Sequence, residues 1–351
     1  MKLREFGFDQ WFESHATELG LAECAFARIS TVDRGSYRIL IGTSEVSADL
    51  AGKLAFQIES SVDLPCVGDW VTASCHNNDT AAIIHKVLPR KTFLRRKKPG
   101  EKVDHQMIAA NIDTAFIVQS CHFDFNLSRL ERYLTIAADG HVEPVVILTK
   151  TDLITQDELR QQLEAINTVT RGEVIALSNI TGCGFDEVQE TLSSGKTYCL
   201  LGSSGVGKTT LVNRLAGQEA FATRTVSNTG EGTHTTTRRQ LIVLANGAML
   251  IDTPGMRELG VVGASDGLNV EFKQLVELSA QCRFANCSHE HEPGCAVRAA
   301  IKKGELPEER YSNYVKLKKE SEFYEMSYLE KRKKDKAFGK FIKSVKKQMK
   351  G

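Results

Sequence analysis

GSSGVGKTT, Gly202–Thr210, is the stretch on which the reading of this chain turns. Gly202-Ser203-Ser204-Gly205-Val206-Gly207-Lys208-Thr209 matches the full spacing of a phosphate-binding P-loop, and Thr210 follows it. TYCLL precedes the motif as an apolar strand and TLVNRLAG follows it as a helix, the context in which such a loop works. The glycines let backbone N–H groups wrap phosphate oxygens, and the helix N-terminus adds its positive end. Lys208 is expected to reach the β- and γ-phosphates, and Thr209 to ligate Mg²⁺. A bare Gly-rich turn is the competing reading, and the strand–loop–helix context argues against it.

Downstream, Asp252-Thr253-Pro254-Gly255 closes the apolar run AMLI. A carboxylate there suits a Mg²⁺ partner, and Gly255 can sense the γ-phosphate through its N–H. NTGEGTHTTTRR (Asn228–Arg239) lies between the two motifs and suits a switch loop. Thr236, or failing it Thr235, is the candidate to complete the Mg²⁺ shell; local turns are the plainer reading of any one threonine.

Upstream, Val145–Ile154 reads VVILTKTDLI, an apolar run ending in Thr149-Lys150-Thr151-Asp152. Asp152 can accept from both N1–H and the exocyclic amine of guanine, a pattern adenine does not offer. The Lys150 stem can pack along base and ribose, and Ser178-Asn179, after VIAL, can support the base from the other side. Asp and Thr also favour helix starts, so a capped helix is the alternative for TKTD.

Around these motifs the chain alternates strands and helices from about Ala109, the mark of an α/β domain. The segment from Cys24 to Lys98 carries short β-like runs instead, AFARIS, YRILIG, KLAFQIE, DWVTAS and AAIIHKVL, as in a small antiparallel barrel. RKTFLRRKKPGEK (Arg90–Lys102) follows, either a solubilising linker or a nucleic-acid contact with Phe93 available to stack. Past Gly263 the pattern is helical, broken by CRFANCSHEHEPGC. There Cys282, Cys287, His289 and Cys295 supply three thiols and an imidazole, a closed tetrahedral set for one structural Zn²⁺, with His291 as rival for the imidazole. The other six cysteines are scattered and read as small apolar side chains.

The 351 residues carry 45 Lys+Arg against 44 Asp+Glu, and the net charge of +1 hides a Lys-rich end after Glu330. Such a tail suggests a polyanionic partner, with a solvated basic helix as the plainer reading. The stretch MKLREFGFDQWFESH lacks the apolar core and small-residue cleavage site of a signal peptide, and no apolar run approaches the roughly 18 residues of a membrane span. A cytoplasmic, soluble protein without membrane partner is therefore expected, and a reducing compartment makes clustered cysteines metal ligands rather than disulfides.

Guanine reader, supporting loop, P-loop, switch and DTPG occur in an order rotated from that of an ordinary GTPase, whose last two elements here come first. With the barrel upstream, LPRKTFLRRK leaving it, and the Cys₃His spacing downstream, the chain resembles the RsgA/YjeQ family. That resemblance implies an N-terminal OB-fold barrel, a circularly permuted P-loop GTPase α/β domain and a C-terminal helical zinc-binding domain. We assign 1–24 to an N-terminal extension, 25–100 to the RNA-binding barrel, 101–263 to the G domain and 264–351 to the zinc domain with its helical tail. The resemblance further implies GTP/GDP, the 30S ribosomal subunit and 16S rRNA as partners of a monomer acting late in small-subunit maturation.

Two departures matter. Thr149 stands where GTPases usually have Asn, weakening one contact near the base. Met256 stands where Ras-like enzymes orient water with Gln, so slow intrinsic turnover is expected, and His234 is the candidate substitute beside the plainer reading of an exposed loop histidine. A P-loop metabolic kinase would be separated by competition of ATP against GTP, and a nucleotide-gated RNA-binding scaffold by the absence of ribosome-stimulated hydrolysis.

Overall fold

The computed structural model describes residues 3–21, 24–33, 35–42, 44–76, 80–97, 105–217, 239–252 and 264–325. The chain forms two compact units, Met1–Arg95 with Met107–Leu259, and Arg96–Gln106 with Gly260–Gly351.

In the first unit, helix α1 (Gln10–Glu18) precedes β1 (Phe26–Asp33), β2 (Ser36–Ile41), β3 (Ser44–Leu50), helix α2 (Gly52–Gln57), β4 (Trp70–His76) and β5 (Ala81–Val87). The five strands run β1-β2-β3-β5-β4 and close through β1–β4 pairing. This closed five-stranded barrel, with its helix between the third and fourth strands, is an OB-fold. Ile29, Ile39, Val46, Val71 and Ile84 fill its interior from alternate positions of their strands.

One expected strand is wrong. KLAFQIE belongs largely to α2, where only Leu54 is buried and Phe56 stands 91% exposed. The barrel strand is SEVSADL, Ser44–Leu50, whose Val46 and Ala48 point inward between exposed neighbours. Its inward face is small, so a period of two carried by Val, Ala and Leu is fainter than the bulk of Leu54, Phe56 and Ile58.

β6 (Phe93–Lys97) and β7 (His105–Ala110) make a separate ribbon. The α/β part follows: β8 (Thr114–Ser120), α3 (Leu127–Asp139), β9 (Glu143–Thr149), α4 (Gln156–Asn167), β10 (Val174–Leu177), α5 (Phe185–Thr191), β11 (Thr197–Leu201), α6 (Lys208–Ala216), β12 (Arg239–Val243) and β13 (Met249–Asp252). Their order is β10-β9-β8-β11-β13-β12, parallel except for the antiparallel β12. The P-loop strand β11 thus lies between the first strand of the segment and the strand that leads to DTPG. Phe116, Val118, Ile147, Ile175, Leu200, Val206 and Leu211 form the core on which the helices rest.

β12 also pairs with β1, Thr31 opposite Gln240, so barrel and α/β sheet share one ladder. Arg28, 1% exposed, sits at that seam. It donates to Gly68 O (3.3 Å), Phe6 O (2.5 Å), Asn111 O (3.0 Å) and Thr197 Oγ1 (2.8 Å). Burial pulls the guanidinium pKa down to about 10, against the upward pull of the Asp113 and Asp69 charges. Phe8 and Phe12, upstream of β1, pack on Trp70 of the barrel.

In the described part of the basic connector, Arg90, Lys91 and Arg95 are engaged in internal ion pairs. Arg90 makes a two-pronged pair with the buried Asp69 (2.8 Å each), Lys91 pairs with Asp9 (2.8 Å) and Arg95 with Asp139 (3.1 Å). Phe93 packs against a small cluster of Cys66, Met107 and Ala110. The cysteines need a smaller correction: Cys66, Cys121 and Cys199 are buried as expected, but Cys24 and Cys183 are exposed.

The second unit contains α7 (Ser265–Glu271), α8 (Lys273–Ser279), α9 (Ala296–Lys303) and α10 (Glu308–Glu325). Phe272, Leu275, Val297, Ala300, Leu306 and Leu317 are buried among these helices. Among the described residues no helix is long and apolar enough to cross a membrane.

Candidate nucleotide site and metal cluster

The loops that follow β8, β9, β10 and β11 share the carboxyl ends of four adjacent parallel strands, where open α/β sheets bind ligands. The P-loop turns sharply there. Gly202 has φ +151°, and a Cβ on it would lie 2.3 Å from Val118 O, so no other residue fits. Gly207, at φ +98°, caps α6 and turns the chain into the helix. Lys208 Nζ donates to Gly202 O (2.7 Å) and Ser203 O (2.5 Å), which holds the ammonium over the loop. Thr209 and Thr210 open α6 beside it, next to the positive end of the helix.

Thr149 ends β9, fully buried, and its hydroxyl faces two carbonyls, Val206 O at 2.6 Å and Gln119 O at 3.0 Å. This side chain ties the end of β9 to the phosphate loop. Lys150 then adopts the left-handed conformation at φ 62°, uncommon for a residue with a Cβ. Cys121 Sγ donates to Lys150 O at 2.9 Å and pins the turn; burial pushes that thiol up to about 11, so it stays a thiol. Thr151–Leu153 form one 3-10 turn. The helix cap considered for TKTD lies elsewhere: Thr155 and Glu158 form a reciprocal capping box on α4.

Asp152 Oδ1 accepts from Ser178 Oγ at 2.6 Å. The same Ser178 oxygen accepts from Ile180 N (3.2 Å) and Thr181 N (3.1 Å), so one hydroxyl orders the supporting loop and orients the carboxylate. Oδ2 of Asp152 stays available as an acceptor. Asn179 Nδ2 points at Gly207 O (3.4 Å), and Arg214 of α6 donates to Asn179 O (3.3 Å) while stacking on Phe185 (4.0 Å).

The sequence reading passed over Asp124. Its carboxyl is raised by burial, although Arg129 (2.8 Å) and the Ser203 hydroxyl both favour the charged form. It braces the P-loop from a loop that carries no motif; its position just past a strand end was the only signal. His234, Thr235, Thr236, Gly255 and Met256 lie outside the described residues, as does the side chain of Asp252, whose backbone pairs with Gln240. A cavity of about 200 Å³ beside Arg28, Asp9 and Asp113 adjoins the opposite, amino ends of β8 and β11.

In the second unit Cys282, Cys287, His289 and Cys295 converge, with their ligand atoms all within 4.8 Å of one another. Cys282 Sγ and Cys295 Sγ are 3.9 Å apart, and His289 Nδ1 lies 3.5 and 3.4 Å from them. A zinc tetrahedron with Zn–S about 2.3 Å and Zn–N about 2.0 Å has edges of roughly 3.8 and 3.5 Å, so the donors fit one Zn²⁺. His289, not its rival His291, supplies the imidazole. Its Nε2 faces Ser279 Oγ (3.2 Å), whose own proton goes to Leu275 O (2.8 Å). Burial raises the Cys282 thiol, but the N–H groups of Val297 and Ala296 at the start of α9 outweigh it and leave the pKa lowered.

The profile of the RsgA GTPase family matches residues 87–262. The chain is 45% identical over 298 residues to the small ribosomal subunit biogenesis GTPase RsgA 2 of Lactiplantibacillus plantarum, covering 84% of this chain and 83% of that one. It is 37% identical over 348 residues to the protein of the same name from Vibrio parahaemolyticus, covering 98% and 92%. Among solved structures, YjeQ from Thermotoga maritima aligns at 27% identity with a TM-score of 0.63, over 84% of this chain and 96% of that one. YloQ, described as a circularly permuted GTPase, aligns at 23% identity and a TM-score of 0.59 over 87% and 98%, a likeness of fold. The permuted strand order, the P-loop and these relatives agree: the protein is a GTP hydrolase, and the chain belongs to the RsgA GTPase family.

Proposed function

We propose that this GTPase binds the 30S ribosomal subunit, hydrolyses GTP when the subunit stimulates it, and acts late in small-subunit maturation in the cytoplasm, as a monomer without membrane partner. The observation that carries the nucleotide half is the Asp152–Ser178 bond at 2.6 Å on the same sheet edge as the P-loop. The ribosomal half is supported by the names of the relatives, small ribosomal subunit biogenesis GTPases, over most of the chain.

In this reading residues 25–100 and the zinc domain, 264–351, contact 16S rRNA, and 101–263 is the G domain. Asp152 reads guanine and Lys150 covers it, with Thr151, Ser178 and Asn179 shaping the pocket. Backbone N–H groups of Ser203–Gly207 and the Lys208 ammonium hold the β- and γ-phosphates. Thr209, Asp252 and Thr236 are the residues that would hold Mg²⁺, which neutralises charge on the phosphates. Gly255 N–H senses the γ-phosphate, and His234 orients the attacking water in place of the missing Gln.

Met256 in the Gln position predicts a slow basal rate raised by 30S subunits. The decisive measurement is single-turnover GTP hydrolysis with and without purified 30S subunits. Stimulation of at least about tenfold is expected, and His234→Ala should lower the stimulated rate by roughly 100-fold, as loss of a general base or its equivalent does. No stimulation would reduce the protein to a nucleotide-gated scaffold, and an unchanged His234→Ala rate would remove that residue from the mechanism.

A further inference from the structure

Thr149 creates a shortage that its surroundings make visible. A hydroxyl has one proton to donate. Both groups facing Thr149 Oγ1 are protein carbonyls, Val206 O at 2.6 Å and Gln119 O at 3.0 Å, and the side chain is fully buried. Thr149 therefore has no donor left for a base. An Asn at this position would have two N–H groups, enough for a P-loop carbonyl and the purine together.

A carboxamide does reach this place, from the neighbouring loop. Asn179 Nδ2 points at Gly207 O (3.4 Å), one residue beyond the carbonyl that Thr149 holds. A Cβ placed on Gly207 would meet Asn179 Nδ2 at 3.0 Å and Thr149 Oγ1 at 4.0 Å, so the two side chains converge on one residue of the phosphate loop. Asn179 Oδ1 is buried without a hydrogen-bond partner in the protein. Turning the amide over would set that oxygen against Gly207 O, so the arrangement with Nδ2 toward the loop is the favourable one. The backbone is fixed as well, by Arg214 on Asn179 O and by Ser178 Oγ on the next two N–H groups.

We propose that the Asn179 carboxamide supplies what Thr149 lacks: one Nδ2 proton goes to Gly207 O, and the other goes to the N7/O6 edge of the guanine. That edge offers two acceptors in guanine, whereas adenine replaces O6 with an amine, so a donor here adds to the selectivity of Asp152. Asn179 is thus a specificity-determining residue that also braces the P-loop. This assignment rests on the guanine reading given above.

The test is titration of the full-length protein with fluorescent GDP, with ADP and 7-deaza-GDP as competitors. Asn179→Ala should weaken GDP binding about tenfold, and Asn179→Asp, which keeps the shape and removes the donor, should weaken it at least as much. Adding Thr149→Asn to Asn179→Ala should recover most of the loss, while Thr149→Asn alone should gain little. 7-Deaza-GDP should bind wild type more weakly than GDP but bind Asn179→Ala equally well. GDP affinity within twofold of wild type in both Asn179 variants would overturn the proposal, as would a loss that Thr149→Asn fails to repair. If ADP competes as well as GDP against wild type, the guanine reading itself falls. Preference for GDP with indifferent Asn179 variants removes this inference alone.

Discussion

The nucleotide site and the cysteine cluster are both assembled from loops at the ends of elements, yet they leave their polar groups in opposite condition. In the cluster, three thiols and His289 Nδ1 face one point, and the second imidazole nitrogen is already taken by Ser279. Every donor is turned inward, and no position remains for a substrate. At the sheet edge the supporting bonds stop short of saturation. Asp152 has given one oxygen to Ser178 and keeps the other, and Asn179 Nδ2 reaches Gly207 O with one of its two protons. A closed set holds a fold together; an unsaturated one leaves donors and acceptors open to a ligand.

The comparison breaks most visibly at the cluster. Cys282→Ser or Cys287→Ser should abolish stoichiometric zinc by elemental analysis. It should also unfold much of the helical region around residues 264–325 by circular dichroism. Structural zinc contributes about 10 kcal/mol, more than a region of this size has to spare. GDP affinity should survive in the same variants, and its loss would mean that the cluster and the nucleotide site are not separable. A smaller effect is expected at Asp152. Asp152→Asn should cut the preference for GTP over ATP by about 100-fold, since the amide keeps one acceptor, uncharged, and turns an N–H toward the other guanine donor. It should also improve binding of xanthosine triphosphate, whose carbonyl at C2 matches the new N–H. Retained GTP preference would remove Asp152 as the guanine reader. The smallest effect belongs to Thr149→Val, which keeps the volume and leaves Val206 O and Gln119 O without that hydroxyl. Stability should fall by about 1–3 kcal/mol in urea titration, with the ratio of GTP to ATP affinity unchanged. A changed ratio would show that Thr149 touches the base after all.

Some of this was legible from residue order and some was not. The P-loop, TKTD and Cys₃His spacings are local patterns whose chemistry demands those residue types, so they could be read without a fold. KLAFQIE misled because bulky apolar residues outweighed the fainter alternation of SEVSADL, whose inward side chains are small. The ion pairs of the connector were hidden for another reason: their partners, Asp69, Asp9 and Asp139, are distant in sequence and close only after folding. Asp124 and Arg28 belong to the same class, lone charged residues with no motif around them.

The sequence by itself determined the class of chemistry. A loop of glycines before a helix binds phosphate, an Asp after an apolar strand can read guanine, and three thiols with an imidazole hold zinc, because each depends on groups a few residues apart. Only the tertiary structure decided how those groups are supported. It chose His289 over His291, turned Thr149 toward a carbonyl of the phosphate loop, and brought the amide of Asn179 beside Gly207. The Thr149 and Asn179 contacts join the ends of separate strands, and their geometry follows from the parallel register of β8, β9, β10 and β11 rather than from any spacing along the chain.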